Sequence, residues 1–337
     1  MRAALLVAAG VLSAVGCSTA DTAQDGAAAT AGYPRTVYNC GHDVVVDAPP
    51  QRAESLNQSS TEILLSLGLA DRMVGTATWT DPVRENLAAD NATVPRLADN
   101  KPALETVLDV DPDLVTASFV GTLGTGGVAD REALHTLGVP TYMSPSDCEG
   151  KIATSEDGAR STPLTMDLIH REITDLAAIF DVPERGADLV AELRQRLDDV
   201  TPVAPGVDAA FWFSDTRTPY MAGCCGSPGV IAAHTGLRNV FDDTQEEWPQ
   251  VSWETLAERD PDVLVLADLS RRTIEGDALE SKIQFLESNP VTSQLDAVRE
   301  RRYVVVNGAD LNPSIRTVDG VEKVAEGLNR FGFSAPR

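Results

Sequence analysis

One segment of the chain occurs twice, and this repeat restricts the possible fold more than any other feature. The segment LETVLDVDPDLV at 104–115 is followed 149 residues later by WETLAERDPDVL at 253–264. Both copies have a Glu near the start, an Asp-Pro-Asp turn and then an apolar run. Because proline disfavours a helical conformation at the residue before it, each copy predicts a helix, a turn and a strand. A repeat that occurs once at this spacing indicates two similar lobes rather than a solenoid.

The length and the periodicity of the chain agree with two lobes. At 337 residues the chain is longer than one hydrophobic core normally organises. Short apolar runs alternate with segments of helical periodicity in both halves, which predicts an α/β fold with mostly parallel sheets. Two helical segments within 165–200 have no strand between them, and we expect them to connect the lobes. The predicted lobes therefore span 36–164 and 201–337.

The first residues have the pattern of an exported protein. A charged start precedes an apolar run, and small residues precede Cys17. This pattern resembles a bacterial lipobox, which implies a signal peptide at 1–16 and a diacylglycerol on the sulfur of Cys17. A secretory signal in which Cys17 is coincidental is the alternative. Residues 17–35 contain few large side chains and predict a flexible tether, so we expect a lipoprotein on the outer face of the cell membrane.

The remaining cysteines are even in number, as expected for an oxidising compartment. We prefer a disulfide between Cys40 and Cys148, which would join the first strand to the far edge of the first lobe. The adjacent Cys224 and Cys225 are compatible with a vicinal disulfide, with two thiols or with a soft ligand, and we rank them in that order.

Composition excludes several classes of function. The 51 Asp and Glu outnumber the 27 Lys and Arg, whereas a nucleic-acid groove needs a basic stripe, so nucleic acid is not an expected partner. The only histidines, at 42, 135, 170 and 234, lie outside the predicted strand ends, which argues against a metal-ion receptor and a bound metal or cofactor. The sequence has no catalytic motif of the hydrolase or zinc-protease type. We therefore expect no enzyme, and an anchored hydrolase is the alternative.

A series of short motifs resembles one family of transport proteins. The motifs lie at 59–75, 104–115, 137–140, 236–241, 251–254 with 260–263, and 295–299. In this order they resemble the bacterial solute-binding proteins of the iron-siderophore and cobalamin type, which are receptors of ATP-driven importers. The resemblance covers about 52–333. It implies a class III architecture of two Rossmann-like lobes joined by a single long helix, a monomer, and an ABC permease dimer with its cytoplasmic ATPase as partner.

The resemblance implies a ligand in the cleft between the lobes, where the carboxyl ends of parallel strands meet. We expect an iron(III)-siderophore there, with cobalamin and haem as alternatives. Arginines would donate to the oxygens of the siderophore, and aromatic rings would form apolar walls. The alternative for each aromatic residue is packing in the core, and the alternative for each arginine is a solvated charge on the surface. The candidate ligand-binding residues are Asn57, Gln58, Trp79, Ser118, Phe119, Trp212, Asp215, Arg217, Tyr220, Trp248 and Arg316.

Glu105 and Glu254 occupy equivalent positions in the two copies of the repeat. In the family that the chain resembles, the matching glutamates dock on an arginine of each permease subunit, and we expect the same role here. The alternative is that each glutamate only stabilises its own helix, because a carboxylate in the first turn of a helix is stabilised by the helix dipole by about 0.3–1 kcal/mol.

Overall fold

The computed structural model describes residues 31–152, 158–202, 206–270 and 276–333. The predicted signal peptide, Cys17 and most of the predicted tether lie outside the described residues. The last part of the tether already packs on the protein, because Tyr33 is buried and its hydroxyl donates a 2.7 Å hydrogen bond to the carbonyl of Ile179.

The N-terminal lobe is built on a five-stranded parallel sheet. The strands of this lobe are β1 (Arg35–Asn39), β2 (His42–Val46), β3 (Ala53–Ser55), β4 (Met73–Ala77), β5 (Arg96–Ala98), β6 (Leu114–Ala117), β7 (Thr141–Met143), β8 (Lys151–Ile152) and β9 (Ala159–Arg160). Its helices are α1 (Gln58–Ser66), α2 (Ala88–Asn91), α3 (Leu104–Asp109) and α4 (Arg131–Thr136). The sheet has the order β5-β4-β3-β6-β7, and β1 pairs with β2 in the predicted antiparallel hairpin.

Two consecutive helices lie between the two lobes in the sequence. They are α5 (Met166–Ile179) and α6 (Pro183–Asp198). The single long helix that the resemblance implied is α6, because Arg185 near its start donates to the carbonyls of Leu67 and Gly68 in the N-terminal lobe and Arg196 near its end pairs with Asp319 and Glu322 in the C-terminal lobe. Asp181 has a φ of 57°, which ends the first helix, and Pro183 begins the second because proline at the first helical position loses no intrahelical hydrogen bond. Buried apolar residues of α5 and α6 belong to one core that includes residues of both lobes, so the connection is packed on both sides.

The C-terminal lobe also alternates strands and helices. Its strands are β10 (Asp208–Ser214), β11 (Tyr220–Met221), β12 (Arg238–Asn239), β13 (Val263–Asp268) and β14 (Tyr303–Asn307). Its helices are α7 (Ser227–Thr235), α8 (Trp253–Arg259), α9 (Leu279–Ser288), α10 (Asp296–Arg299) and α11 (Arg316–Arg330). The strand order is β11-β10-β13-β14, with β12 also beside β10, and only the β10–β11 pair among these is antiparallel. The prediction of a two-lobed α/β fold is confirmed.

The Asp-Pro-Asp turns of the repeat have the same geometry in both lobes. The aspartate before the proline has a positive φ in each turn, 47° at Asp111 and 42° at Asp260. This left-handed conformation ends α3 and α8. The aspartate after the proline accepts a backbone N–H at the start of a neighbouring strand, because Asp113 Oδ1 lies 2.9 Å from Arg52 N and Asp262 Oδ2 lies 2.9 Å from Asp208 N. Each turn therefore links the end of a helix to the edge of its sheet.

Two disulfides are present among the described cysteines. The predicted bridge between Cys40 and Cys148 is confirmed, with a Cα–Cα distance of 5.7 Å, and it joins the β1–β2 hairpin to the loop after β7. Cys224 and Cys225 form a vicinal disulfide, which was the first-ranked of their three predicted states. This pair lies just before α7, in a loop that approaches the interface between the lobes.

Candidate ligand-binding cleft

A cavity of about 660 Å³ lies between the two lobes. Its volume is within the range of roughly 300–1,000 Å³ that is usual for small-molecule sites. The N-terminal lobe lines it with Phe119, Val120, Gly121, Asp147, Cys148, Lys151, Ile152 and Gly158, and the C-terminal lobe with Phe213, Gly226, Ser227, Glu247, Trp248, Leu311, Asn312 and Pro313. Several of these residues follow the carboxyl ends of β6, β7 and β14, which is the predicted place for a ligand.

Aromatic side chains form one wall of this cleft. The rings of Phe213 and Trp248 are tilted by 42° with their centroids 4.9 Å apart. Phe213 faces the cleft because consecutive residues of β10 point to opposite faces of the sheet, and its neighbour Trp212 is in the core. Phe119 contributes a third ring from the other lobe. The cleft can therefore bury a large, partly apolar ligand.

Charged side chains lie at the side of the cleft where β8 is located. Lys151 Nζ is 3.0 Å from Asp147 Oδ1 and also contacts a carboxylate oxygen of Glu247 from the opposite lobe. The second oxygen of Glu247 is 3.3 Å from the buried Arg160 guanidinium. Burial acts to lower the pKa of Lys151, but the Asp147 and Glu247 carboxylates outweigh it and raise that pKa. This group holds the two lobes together beside the cavity.

Main-chain hydrogen bonds reinforce this contact between the lobes. Glu247 N donates to Gly158 O at 3.0 Å, and Arg160 N donates to Gln245 O at 2.9 Å. The position of Asp147 is set twice, because its Oδ2 accepts Val120 N at 2.6 Å and the next residue, Cys148, is bonded to Cys40. The charged side of the cleft is therefore built from segments whose backbone is held in place.

The predicted first-lobe residues lie at the expected strand ends, but most of them bond inward. Asn57 Oδ1 accepts Ser118 N at 2.8 Å, and Gln58 Oε1 accepts Asp81 N at 2.9 Å. Ser118 Oγ accepts a backbone N–H of α1, and Trp79 is 6% exposed beneath the guanidinium of Arg96. Among the five predicted residues of this lobe, Phe119 lines the cavity. The other four connect strands and helices behind the cleft.

Of the predicted second-lobe residues, some line the cavity and others have a structural role outside it. Trp248 lines the cavity, whereas Trp212 is 1% exposed and packs edge-to-face on Trp253 at 4.8 Å between centroids, which corrects its expected position. Asp215 Oδ1 accepts the backbone N–H of Arg217 and so forms a turn. Arg217 is exposed and Tyr220 lies in β11, and neither residue lines this cavity.

Arg316 differs most from its expected role. Its side chain is buried, with Nε 2.6 Å from Glu62 Oε2 and Nη2 2.6 Å from Glu62 Oε1. Nη2 also donates to the carbonyl of Pro82 at 2.5 Å. These partners belong to the N-terminal lobe, and a buried carboxylate such as Glu62 requires a cation. Arg316 therefore joins the lobes instead of presenting its donors to the cavity.

The residues that sequence reasoning missed are adjacent to residues that it selected. Phe213 follows Trp212, Glu247 precedes Trp248 and Asp147 precedes the bridged Cys148. Strand alternation was a usable signal for Phe213. Lys151 was missed because its partner Glu247 belongs to the other lobe and approaches it only when the lobes are assembled.

Other predicted features have defined positions. Glu105 and Glu254 are exposed in the first turns of α3 and α8. Among the described residues, no three His, Cys, Asp or Glu side chains are grouped in a way that suits a metal ion. None of the helices in the described ranges has the length and apolarity to cross a membrane.

Comparison with known proteins decides the family. Residues 55–308 match the family model described as periplasmic binding protein. The chain belongs to this family. Periplasmic binding proteins of this kind are extracytoplasmic solute receptors and not enzymes, so the chain is an ABC-type substrate-binding protein of the iron, siderophore, haem and vitamin B12 group.

Individual periplasmic binding proteins are similar over most of their length. A vitamin B12-binding protein of Vibrio campbellii is 26% identical over 283 residues, covering 83% of this chain and 90% of the relative. An ABC transporter substrate-binding lipoprotein of Bacillus subtilis is 24% identical and covers 97% and 95%. The crystal structure of an ABC-type Fe³⁺-hydroxamate transport system from Saccharomonospora viridis superposes with a TM-score of 0.70 at 27% identity, covering 88% and 99%.

Proposed function

We propose that this protein captures an iron(III)-siderophore in its interlobe cleft and delivers it to the permease of an ABC importer. The observation that carries the proposal is the cavity of about 660 Å³ between the lobes, with Phe119, Phe213 and Trp248 on its walls. A ferric siderophore is bulky and presents apolar and polar surface together, which this lining complements. The similarity to the Fe³⁺-hydroxamate transport structure supports the same cargo.

Cobalamin is the second candidate cargo. The curated relatives named vitamin B12-binding protein favour it. A corrinoid is also large and partly apolar, so the aromatic wall is compatible with it. Haem is a third cargo of the same group of receptors.

The proposal includes the place of the receptor in the cell and its partner. We propose a diacylglycerol on Cys17 as the membrane anchor, in keeping with the lipoprotein from Bacillus subtilis. We propose that Glu105 and Glu254 dock on two permease subunits, since both are exposed at equivalent sites of the two lobes. A monomeric receptor without a resident cofactor completes the proposal.

Tryptophan fluorescence tests the cargo directly. Trp248 is a wall of the cleft, so a bound ferric siderophore should quench its emission with a saturable curve, and Zn²⁺ and Mn²⁺ should not. Trp248→Phe should remove most of the quenching. The matched control is Trp79→Phe, because Trp79 is buried against Arg96 outside the cavity lining. Binding of cyanocobalamin without any ferric siderophore would contradict the iron assignment.

A further inference from the structure

The ionised side chains of the cleft point to the charge of its cargo, provided that the protein binds a ferric siderophore as proposed. Among the lining residues that the structure describes, three carry charge, and they are Asp147, Lys151 and Glu247. Two of them are carboxylates and one is an ammonium group. Lys151 forms ion pairs with both carboxylates, so its charge is already compensated within the protein.

Two other cations at the interface between the lobes, Arg160 and Arg316, are also paired. Arg160 donates to Glu247 and to the carbonyls of Ser146 and Glu149, and it is fully buried. Arg316 is held by Glu62 across the lobe interface. In the part of the lining that the structure describes, no Lys or Arg is left to receive an anionic cargo.

A polyanionic cargo would therefore find no free cation in the described part of the cleft. The carboxylates of Asp147 and Glu247 are already balanced by Lys151 and Arg160, so the charge of the cargo would be removed from water without compensation in a partly buried site. To obtain a cation it would have to break the contacts of Lys151, which also join the lobes. At longer range, the net charge of −24 would oppose the approach of a polyanion.

We infer that the cleft selects an uncharged ferric complex of the trishydroxamate class and excludes polyanionic ferric complexes of catecholates or carboxylates. Three hydroxamates neutralise iron(III), so such a complex enters without an uncompensated charge. The rings of Phe119, Phe213 and Trp248 then contribute binding energy by burying its apolar surface.

The test compares probes of different charge on the purified full-length chain. Ferrichrome is the uncharged trishydroxamate, ferric enterobactin is the trianionic tricatecholate, and cyanocobalamin and haem are added as probes from the same group of receptors. The expected result is saturable quenching by ferrichrome and binding of ferric enterobactin at least about 100-fold weaker. Ferric enterobactin binding as tight as ferrichrome would overturn the inference while leaving the iron-siderophore function intact. Binding of cyanocobalamin or haem alone would overturn the proposed function itself.

Isosteric variants assign the discrimination to the cleft. Glu247→Gln removes one carboxylate and should narrow the preference for ferrichrome over ferric enterobactin by about 10-fold. Asp147→Asn provides the same test independently, since Asn can still accept the hydrogen bond from Val120 N. Glu246→Gln is the matched control, because Glu246 is exposed and outside the lining, and it should change nothing. An unchanged preference in both cleft variants would overturn the inference.

Arg271 and Arg272 follow β13 in the sequence and lie outside the described residues. A double variant, Arg271→Ala with Arg272→Ala, should leave ferrichrome binding and the ferrichrome preference unchanged. Ferric enterobactin binding that is tight in the parent protein and lost in this variant would overturn the inference by identifying a cationic site for polyanions.

Discussion

Arg316 of α11 and Glu62 of α1 form a buried ion pair across the interface between the lobes, with two N–O distances of 2.6 Å. Both side chains are almost inaccessible to solvent. Removing one partner leaves the other charge buried without compensation, which typically destabilises a protein by about 3–5 kcal/mol. Arg316→Met should lower the free energy of unfolding by that amount in urea denaturation.

Two further variants separate this structural role from a role in binding. Arg217→Met is the control, because Arg217 is exposed, and it should change stability by less than about 0.5 kcal/mol. The double variant Glu62→Leu with Arg316→Met should recover much of the lost stability, because no unpaired charge remains. If Arg316→Met instead weakened cargo binding at unchanged stability, Arg316 would be a ligand-binding residue, as the sequence suggested.

Glu54 of β3 should make stability depend on pH. It is fully buried, neither of its carboxylate oxygens has a hydrogen-bond partner among the described residues, and burial raises its pKa to about 8. The folded-state pKa exceeds the unfolded value of about 4.3, so the folded protein binds this proton more tightly. The stabilisation is complete below about pH 4 and is lost as pH rises through about 8.

The variant Glu54→Gln cannot ionise and tests this dependence. The free energy of unfolding of the variant minus that of the parent protein should be larger at about pH 8 than at about pH 5, by roughly 3 kcal/mol. Urea denaturation at the two pH values measures the difference. Glu105→Gln is the control because Glu105 is exposed. A stability difference for Glu54→Gln that did not vary with pH would show that Glu54 is already neutralised by a partner.

The bridge between Cys40 and Cys148 should support both stability and binding. It closes a loop of 108 residues in the unfolded chain, and removing such a native bridge typically costs about 2–5 kcal/mol. Cys40→Ser with Cys148→Ser should show that loss in thermal unfolding and a cargo affinity that is weaker by about 10-fold, because Asp147 and Lys151 lie on either side of Cys148. The double variant Cys224→Ala with Cys225→Ala is the comparison. Its disulfide joins neighbouring residues, so its loss should change unfolding by less than about 1 kcal/mol.

Charge reversal tests docking. Glu105→Arg with Glu254→Arg should abolish uptake of the ferric siderophore by whole cells and leave the affinity of the purified receptor unchanged. Glu132→Arg with Glu258→Arg makes the same change in charge at exposed helical positions of the two lobes, and it should retain uptake. A parallel loss of affinity in the Glu105 and Glu254 variant would contradict a docking role.

The lipid anchor is tested by removing its sulfur. Cys17→Ser should shift the protein from the membrane fraction to the soluble fraction of fractionated cells, with the dissociation constant for the cargo unchanged. The mature protein should also lose the mass of a diacylglycerol in mass spectrometry. Retention of the Cys17→Ser variant in the membrane fraction would indicate another means of attachment.

Local patterns in the sequence predicted most of the fold. The repeat, the alternation of helices and strands and the bridged cysteines depend on short-range periodicity and on compartment chemistry. The structure confirms both lobes and places the same Asp-Pro-Asp geometry in each of them. The break between α5 and α6 was also visible locally, since Pro183 begins the second helix.

The cleft was harder to predict because its contacts join distant parts of the chain. Glu62 and Arg316 are 254 positions apart, and no pattern in the sequence indicates that the two side chains form a buried ion pair. Sequence reasoning selected Trp212 and missed Phe213, because strand alternation places them on opposite faces of β10 without showing which face lines the cleft. Lys151 joins the lobes through its ion pair with Glu247, which belongs to the other lobe.

The bridge at Cys148 links the maturation of the receptor to its location. Reducing conditions in the cytoplasm prevent this bond, so a newly made chain there keeps the segment that carries Asp147 attached by noncovalent contacts alone. Oxidation after export completes the recognition surface. We therefore expect the receptor to reach full affinity for its cargo only on the side of the membrane where that cargo arrives.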